Sequence, residues 1–451
     1  MDNENNYYNG RETDGQYYSG GLSYESSARS SADIENELRK TIQRQKKTMF
    51  RLMEKINRMR IVCIVLAVLI AAETILLWGN SVGRNNPEPP KVAESTQSAE
   101  VSQNQNDDGA TVTEDYANED EVNTILSKMS LEEKICQMIF ATPEVLTGYE
   151  AVTAAGESTQ KVLEKLPVGG VIYSSKNLED RSQLKTMLSN VRNYSELGIF
   201  LAISEEGGAG TTIAKKTDVS TIETKDAQTL GSDNDKTATE ENYKTIAKEL
   251  RTLGFNVNLA PLARISSASE DKYAVRSFGT DAKRVSDMVS AAVGGMDSVG
   301  LGSAVKYFPG IDIADSVSAD GLRSGEFLPF KAAIDAGADF IIMSNSPCRA
   351  LTGDKTPCSL SAAAIKALRD ELGFDGVIVT DYLSDIATTY SAEQAAVAAV
   401  KAGADMLLAP TGIAKSVSAV KEAIDKGDIE ESAIDESVKR ILRIKIKRGI
   451  Q

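Results

Sequence analysis

The residue best placed to do chemistry is Asp381. It lies in the stretch GVIVTDYLSD at 376–385, where Val377-Ile378-Val379 reads as a buried strand that stops at Thr380-Asp381. A carboxylate delivered at the C-terminal end of a strand sits on the active face of a barrel of alternating strands and helices, so Asp381 is a candidate nucleophile. The plainer alternative is a strand that runs into a solvated loop. The chain contains no histidine, which removes Ser-His-Asp and Cys-His catalysis, His-containing zinc sites and any His acid or base. Chemistry falls to carboxylates, Lys, Tyr and hydroxyls. The four cysteines, Cys63, Cys136, Cys348 and Cys358, show neither C-x-x-C spacing nor a dense disulfide framework. Only Cys348 and Cys358 are near neighbours; a disulfide there competes with buried free thiols.

The chain must also supply the elements that position such a carboxylate. At 451 residues it exceeds the roughly 250–300 residues of most single domains, so it holds a large domain plus appendages. Its formal net charge of −15 argues against nucleic-acid binding, which needs a basic face. Ser130-Leu131-Glu132-Glu133 is a capping-box pattern that opens a helix. Eight short apolar runs follow, at 137–142, 169–174, 200–205, 256–263, 303–308, 340–345, 376–381 and 405–410, each trailed by a helix-like or polar stretch. Uninterrupted apolar strands alternating with helices predict an α/β fold, a (β/α)8 TIM barrel over 119–451. A doubly wound sheet is the alternative, disfavoured because no G-x-G-x-x-G follows the first strand.

Several of these strand ends carry motifs: LSKMSLEEKICQMIF at 126–140, EEGG at 205–208, NLAP at 258–261, RSFG at 276–279, KYFPG at 306–310, LRDELGFDGVIVTD at 368–381 and AGADMLL at 402–408. Together they resemble glycoside hydrolase family 3, in its single-domain β-N-acetylhexosaminidase branch, over about residues 120–451. The resemblance implies a (β/α)8 barrel, hydrolysis with retention through a glycosyl-enzyme intermediate, and Asp381 in the nucleophile position. A retaining glycosidase needs one ionised carboxylate beneath the anomeric carbon and a second group that protonates the leaving oxygen.

The second group is where the sequence departs. In this branch it comes from an Asp-Ser-His sequence after a KHFPGHGD stretch; here the residues read Lys306-Tyr307-Phe308-Pro309-Gly310-Ile311-Asp312, then Asp315-Ser316-Val317. Where the family usually has Asp before EEGG and sugar-clamping arginines after it, this chain has Ser204, Ala209 and Thr212. Arg264 follows NLAP where Asp is frequent, Tyr382 follows the nucleophile position, and Asn345 replaces the His that commonly ends the sixth strand. Arg276, Lys306 and Asp381 survive, with Glu205 and Glu206 beside them. The resemblance makes Lys306, Arg276, Glu205, Glu206, Asn345 and Tyr307 the candidate sugar-binding residues and Asp315 the candidate acid, with Asp312 and Asp320 as further choices. The plainer readings are a rim ion pair for Arg276 and a salt bridge to Asp381 for Lys306. Glu205 and Glu206 alternate at a strand end, so one is expected to face the mouth.

The region before the barrel divides by composition. Residues 1–33 are rich in Tyr, Asn, Gly and Ser and read as disordered. Residues 34–60 carry nine Lys/Arg against three Glu, with Ile42, Met49, Leu52, Ile56 and Met59 at helical spacing. A coiled coil pairing two chains is one reading and a basic helix lying on anionic lipid the other. Residues 61–78, IVCIVLAVLIAAETILLW, have about the length of a membrane span. The preceding basic residues predict a cytoplasmic N-terminus, and so a single-pass type II anchor with the barrel outside. Residues 79–118 read as a flexible stalk.

Two functions follow. One is a membrane-tethered exo-glycosidase acting on N-acetylglucosamine-containing cell-wall glycans, with Asp381 as nucleophile and a replacement acid in the 312–320 loop. The other is a barrel that has lost or weakened hydrolysis and binds such glycans. A changed substrate is a third. No ligand cluster calls for a metal or cofactor.

Overall fold

The computed structural model describes residues 119–266 and 273–450. The expected segments 1–33, 34–60, 61–78 and 79–118 lie outside the described residues. Among the described residues no helix is long and apolar enough to cross a membrane.

Eight strands form one all-parallel sheet: β1 (Ile139–Ala141), β2 (Gly170–Tyr173), β3 (Phe200–Ile203), β4 (Val257–Asn258), β5 (Gly302–Phe308), β6 (Phe340–Met343), β7 (Val377–Val379) and β8 (Leu407–Leu408). Each falls within one of the eight apolar runs, apart from the first residue of β5. The order is β7-β6-β5-β4-β3-β2-β1-β8, and the bridge Val379↔Met406 with the Thr380 N–H to Met406 O bond (2.9 Å) ties β7 to the β8 run. This is the circuit of a (β/α)8 barrel.

The strands are buried along their length except at Tyr307, as expected where helices cover the outside and side chains fill the inside. Phe140, Phe200 and Phe340 fill one interior layer, with ring centroids 5.1–6.4 Å apart. Beneath Phe200 the ammonium of fully buried Lys445 bonds to Gln137 Oε1 and to Gly198 O at 2.8 Å.

Caps set where the helices begin. Ser130 and Glu133 form the expected capping box before Leu131–Gln137, and Ser391 with Gln394 does the same before Ala392–Ala402. The end of β7 is aimed by a buried clamp. Arg369 donates to Phe374 O (2.6 Å) and Gly376 O (2.7 Å) and pairs with Asp405. Asp405 also accepts from Ile378 N–H (2.7 Å) and pairs with Arg440 at 3.1 Å. Much of the LRDELG and AGAD motifs thus anchors the strand that carries Asp381 rather than touching the barrel mouth.

Candidate active site

After β3 the chain turns sharply through Gly207 and Gly208, both with positive φ. A Cβ on Gly208 would stand 2.3 Å from the Asp226 backbone nitrogen, so only glycine fits. The turn is held from inside by Glu205, whose fully buried carboxylate accepts N–H bonds from Gly207 (3.0 Å), Thr212 (2.7 Å) and Ile213 (2.9 Å). Burial raises its pKa, with those amides opposing the rise. Glu205 is therefore placed as a staple of its own loop and not at the barrel mouth.

Glu206 is the one that joins the other candidates. Its carboxylate receives Arg276 in a fork, Nε to Oε2 at 2.6 Å and Nη2 to Oε1 at 2.7 Å, and Lys306 Nζ reaches Oε1 at 2.8 Å. Lys306 is 2% exposed and also donates to Ser204 Oγ at 2.6 Å. Burial alone would raise the Glu206 pKa, but the two cations outweigh it and hold the carboxylate below its usual range. Burial pushes the Lys306 ammonium down, with Glu206 pulling against it. The ion-pair partner of Lys306 is thus Glu206, while Asp381 acts on Lys306 only as a more distant charge. Arg276, the surviving rim arginine, also faces the Tyr273 ring at 5.7 Å.

Asp381 follows β7 and is half-buried. Its Oδ1 accepts the Tyr382 N–H at 2.9 Å, and the Asn345 backbone N–H also bonds the carboxylate. Burial lifts its pKa to about 6, against these two amides and the Lys306 charge. Asn345 fastens the ends of β6 and β7 together: its Nδ2 donates to Tyr382 O at 2.8 Å and its Oδ1 accepts from Ser359 Oγ at 2.6 Å. Its side chain acts as a positioning group. Tyr307 lies within electrostatic reach of Asp381, Arg276 and Glu206, and burial raises its phenol pKa. A register shift between Lys306 and Phe308 in the β5–β6 pairing re-aims this end of β5.

The candidate acids are placed differently. Asp315 has a side chain 71% exposed and stands 3.5 Å from Arg349; Asp320 is 97% exposed beside Arg323; Asp312 is exposed. None is shielded from water. A residue that sequence reasoning missed is half-buried. Burial raises Glu326 to about 7, with Arg264 and the Ile265 amide opposing. Its Oε2 would be 3.4 Å from a Cβ at Gly310, which puts it under the turn that follows β5. Nothing in the sequence marks it, since it precedes an ordinary helix, Phe327–Asp335. Among the described residues no cluster of three or more His, Cys, Asp or Glu could hold a metal ion.

A parallel eight-stranded barrel whose strand ends gather an oriented carboxylate, two tyrosines and a Lys–Glu–Arg triad is a (β/α)8 barrel with its site on the C-terminal face. The chain belongs to glycosyl hydrolase family 3: residues 130–444 match the "Glycosyl hydrolase family 3 N terminal domain". Its relatives bear β-hexosaminidase names, in keeping with the β-N-acetylhexosaminidase-like branch. It is 26% identical to a "Beta-hexosaminidase A" of Pseudoalteromonas piscicida, covering 66% of this chain and 56% of that protein. It is also 26% identical to a "Beta-N-acetylglucosaminidase/beta-glucosidase" of Cellulomonas fimi, covering 73% and 60%. Among solved structures, a family 3 β-N-acetylglucosaminidase from Paenibacillus sp. str. FPU-7 superimposes with a TM-score of 0.65 at 30% identity, over 71% of this chain and 63% of the other. The chain thus spans less than two thirds of the length of these relatives.

Proposed function

We propose that this chain is a membrane-anchored, extracellular family 3 barrel that engages N-acetylglucosamine-containing cell-wall glycans, with retaining hydrolysis weakened or lost. One observation carries the reading. Asp381 is half-buried and oriented by two amides, whereas Asp312, Asp315 and Asp320, the carboxylates of the loop expected to supply the acid, face solvent. A nucleophile without a positioned proton donor supports binding better than turnover of unactivated glycans. The names of the relatives supply the sugar class. Anchoring rests on the apolar run 61–78 and its basic flank. Pairing of two chains rests on the seam in 34–60, and cysteines placed at Ile42, Met49, Leu52 and Ile56 would cross-link far better than those on the opposite face. Equal cross-linking at all positions would favour a helix lying on the bilayer.

Glu326 favours a second reading: an active exo-glycosidase in which Asp381 attacks and Glu326, rather than a residue of the 312–320 loop, protonates the leaving oxygen. Calorimetric binding of N-acetylglucosamine oligomers to the detergent-solubilised full chain tests the first reading. Binding that persists in Asp381→Asn, without sugar release in the wild type, is expected. Failure to bind any such oligomer would contradict it.

A further inference from the structure

The loop after β6 folds back on itself. Pro347 and Pro357 form an antiparallel bridge, Cys358 N–H donates to Ser346 O at 3.3 Å and Ser359 N–H to Ser344 O at 2.9 Å. The two arms thereby place Cys348 and Cys358, 2% and 0% exposed, beside one antiparallel bridge. Both are free thiols, and each acts on the proton affinity of the other. Between them the chain makes a single helical turn, Arg349–Thr352, closed by Gly353. The residue after Cys358 is Ser359, which holds the Oδ1 of Asn345; Asn345 in turn holds Tyr382 O and, through its own amide, Asp381.

We propose that Cys348 and Cys358 are a cross-linking site: a disulfide between them closes the 348–358 loop and fixes the Ser359–Asn345 contact behind Asp381. Two buried thiols on the paired arms of one short loop need little backbone movement to be bridged. The pair also divides the chemistry. The Cys358 side chain and the Leu351 and Ala350 amides favour the Cys348 thiolate, with burial and Asp315 opposing, whereas Cys358 keeps its proton more tightly. With a low-molecular-weight disulfide such as oxidised glutathione as oxidant, the Cys348 thiolate attacks one sulfur and expels one glutathione thiolate. Cys358 then attacks the mixed disulfide at Cys348, loses its proton to solvent and expels the glutathionyl group as a thiolate. Two protein thiols are oxidised and one small disulfide is reduced to two thiols. Because both sulfurs are buried, the exchange takes place as the loop folds or opens.

The test uses the detergent-solubilised full chain, refolded with oxidised glutathione, then denatured, alkylated and digested for mass spectrometry. The expected result is a cross-linked Cys348–Cys358 peptide pair lighter by two hydrogens than the reduced pair, with Cys136 alkylated. Alkylation of Cys348 and Cys358 to the same extent as Cys136 would overturn the proposal. The oxidised chain should melt about 5 °C above the reduced one, and Cys358→Ala should match the reduced chain with or without oxidant. Hydrogen exchange reads the link to Asp381: reduction should speed exchange in peptides covering 344–360 and also 380–383. Faster exchange confined to 344–360 would overturn the link behind Asp381.

Discussion

Lys306 and Glu206 form an ion pair of 2.8 Å between side chains that are 2% and 4% exposed. Arg276 forks onto the same carboxylate, at 2.6 and 2.7 Å, as a second cation. Glu206 thus engages both cations. Glu206→Gln should cost about 3–5 kcal/mol of stability, because it leaves a buried ammonium unpaired. Adding Lys306→Met to Glu206→Gln should restore most of that loss, read as the midpoint of thermal or urea unfolding. The Glu206 pKa is depressed in the folded state, so its contribution is present above the unfolded carboxylate pKa and is lost as pH falls through the folded one.

Asp381 has the opposite sign. Its folded pKa of about 6 lies above the ordinary 3.8, so the stability it contributes is complete below the unfolded value and is lost as pH rises through 6. Asp381→Asn should therefore stabilise the chain by about 1–3 kcal/mol near pH 8 and by almost nothing near pH 4. A midpoint difference independent of pH would show that Asp381 is not held in a desolvated site.

Lys445 gives a third pH signature at the far end of the barrel. Burial lowers its pKa from 10.5 to about 7, so between those values the unfolded chain binds more protons than the folded one. Stability should rise with pH across that window by up to about 1.4 kcal/mol per pH unit. Lys445→Met should flatten the rise, as measured by urea unfolding at a series of pH values.

The anchor is tested on intact cells. Under the proposed anchoring, added protease should cut within the polar segment 79–118 and release the barrel. Protection of the barrel together with cleavage inside 1–33 would reverse the orientation.

The barrel was legible because its strands are short apolar runs covered on both faces, and Ser130 with Glu133 marked the first helix. The site was legible only in part. Asp381 stood out because a strand ended on it. Strand alternation separated Glu205 from Glu206 but could not say which faced inward, since that depends on the Thr212 and Ile213 amides folding back over Glu205. The Asn345–Ser359 contact crosses a loop of unpatterned sequence. Asp315 was favoured by motif position, and its exposure follows from how the 311–318 loop lies, which no periodicity encodes. Glu326 owes its raised pKa to burial under a turn, invisible until that turn is folded.

Weakened or lost hydrolysis is read from turnover of an aryl β-N-acetylglucosaminide by the full chain. A good aryl leaving group needs little protonation, so the assay isolates attack by Asp381 from the missing acid. The expected result is no steady turnover, or at most a slow single burst that leaves a glycosyl group on Asp381 and disappears in Asp381→Asn. Robust multiple turnover abolished by Asp381→Asn would contradict it, and a Glu326→Gln variant that still releases the aryl group but no longer cleaves an N-acetylglucosamine oligomer would identify Glu326 as the acid.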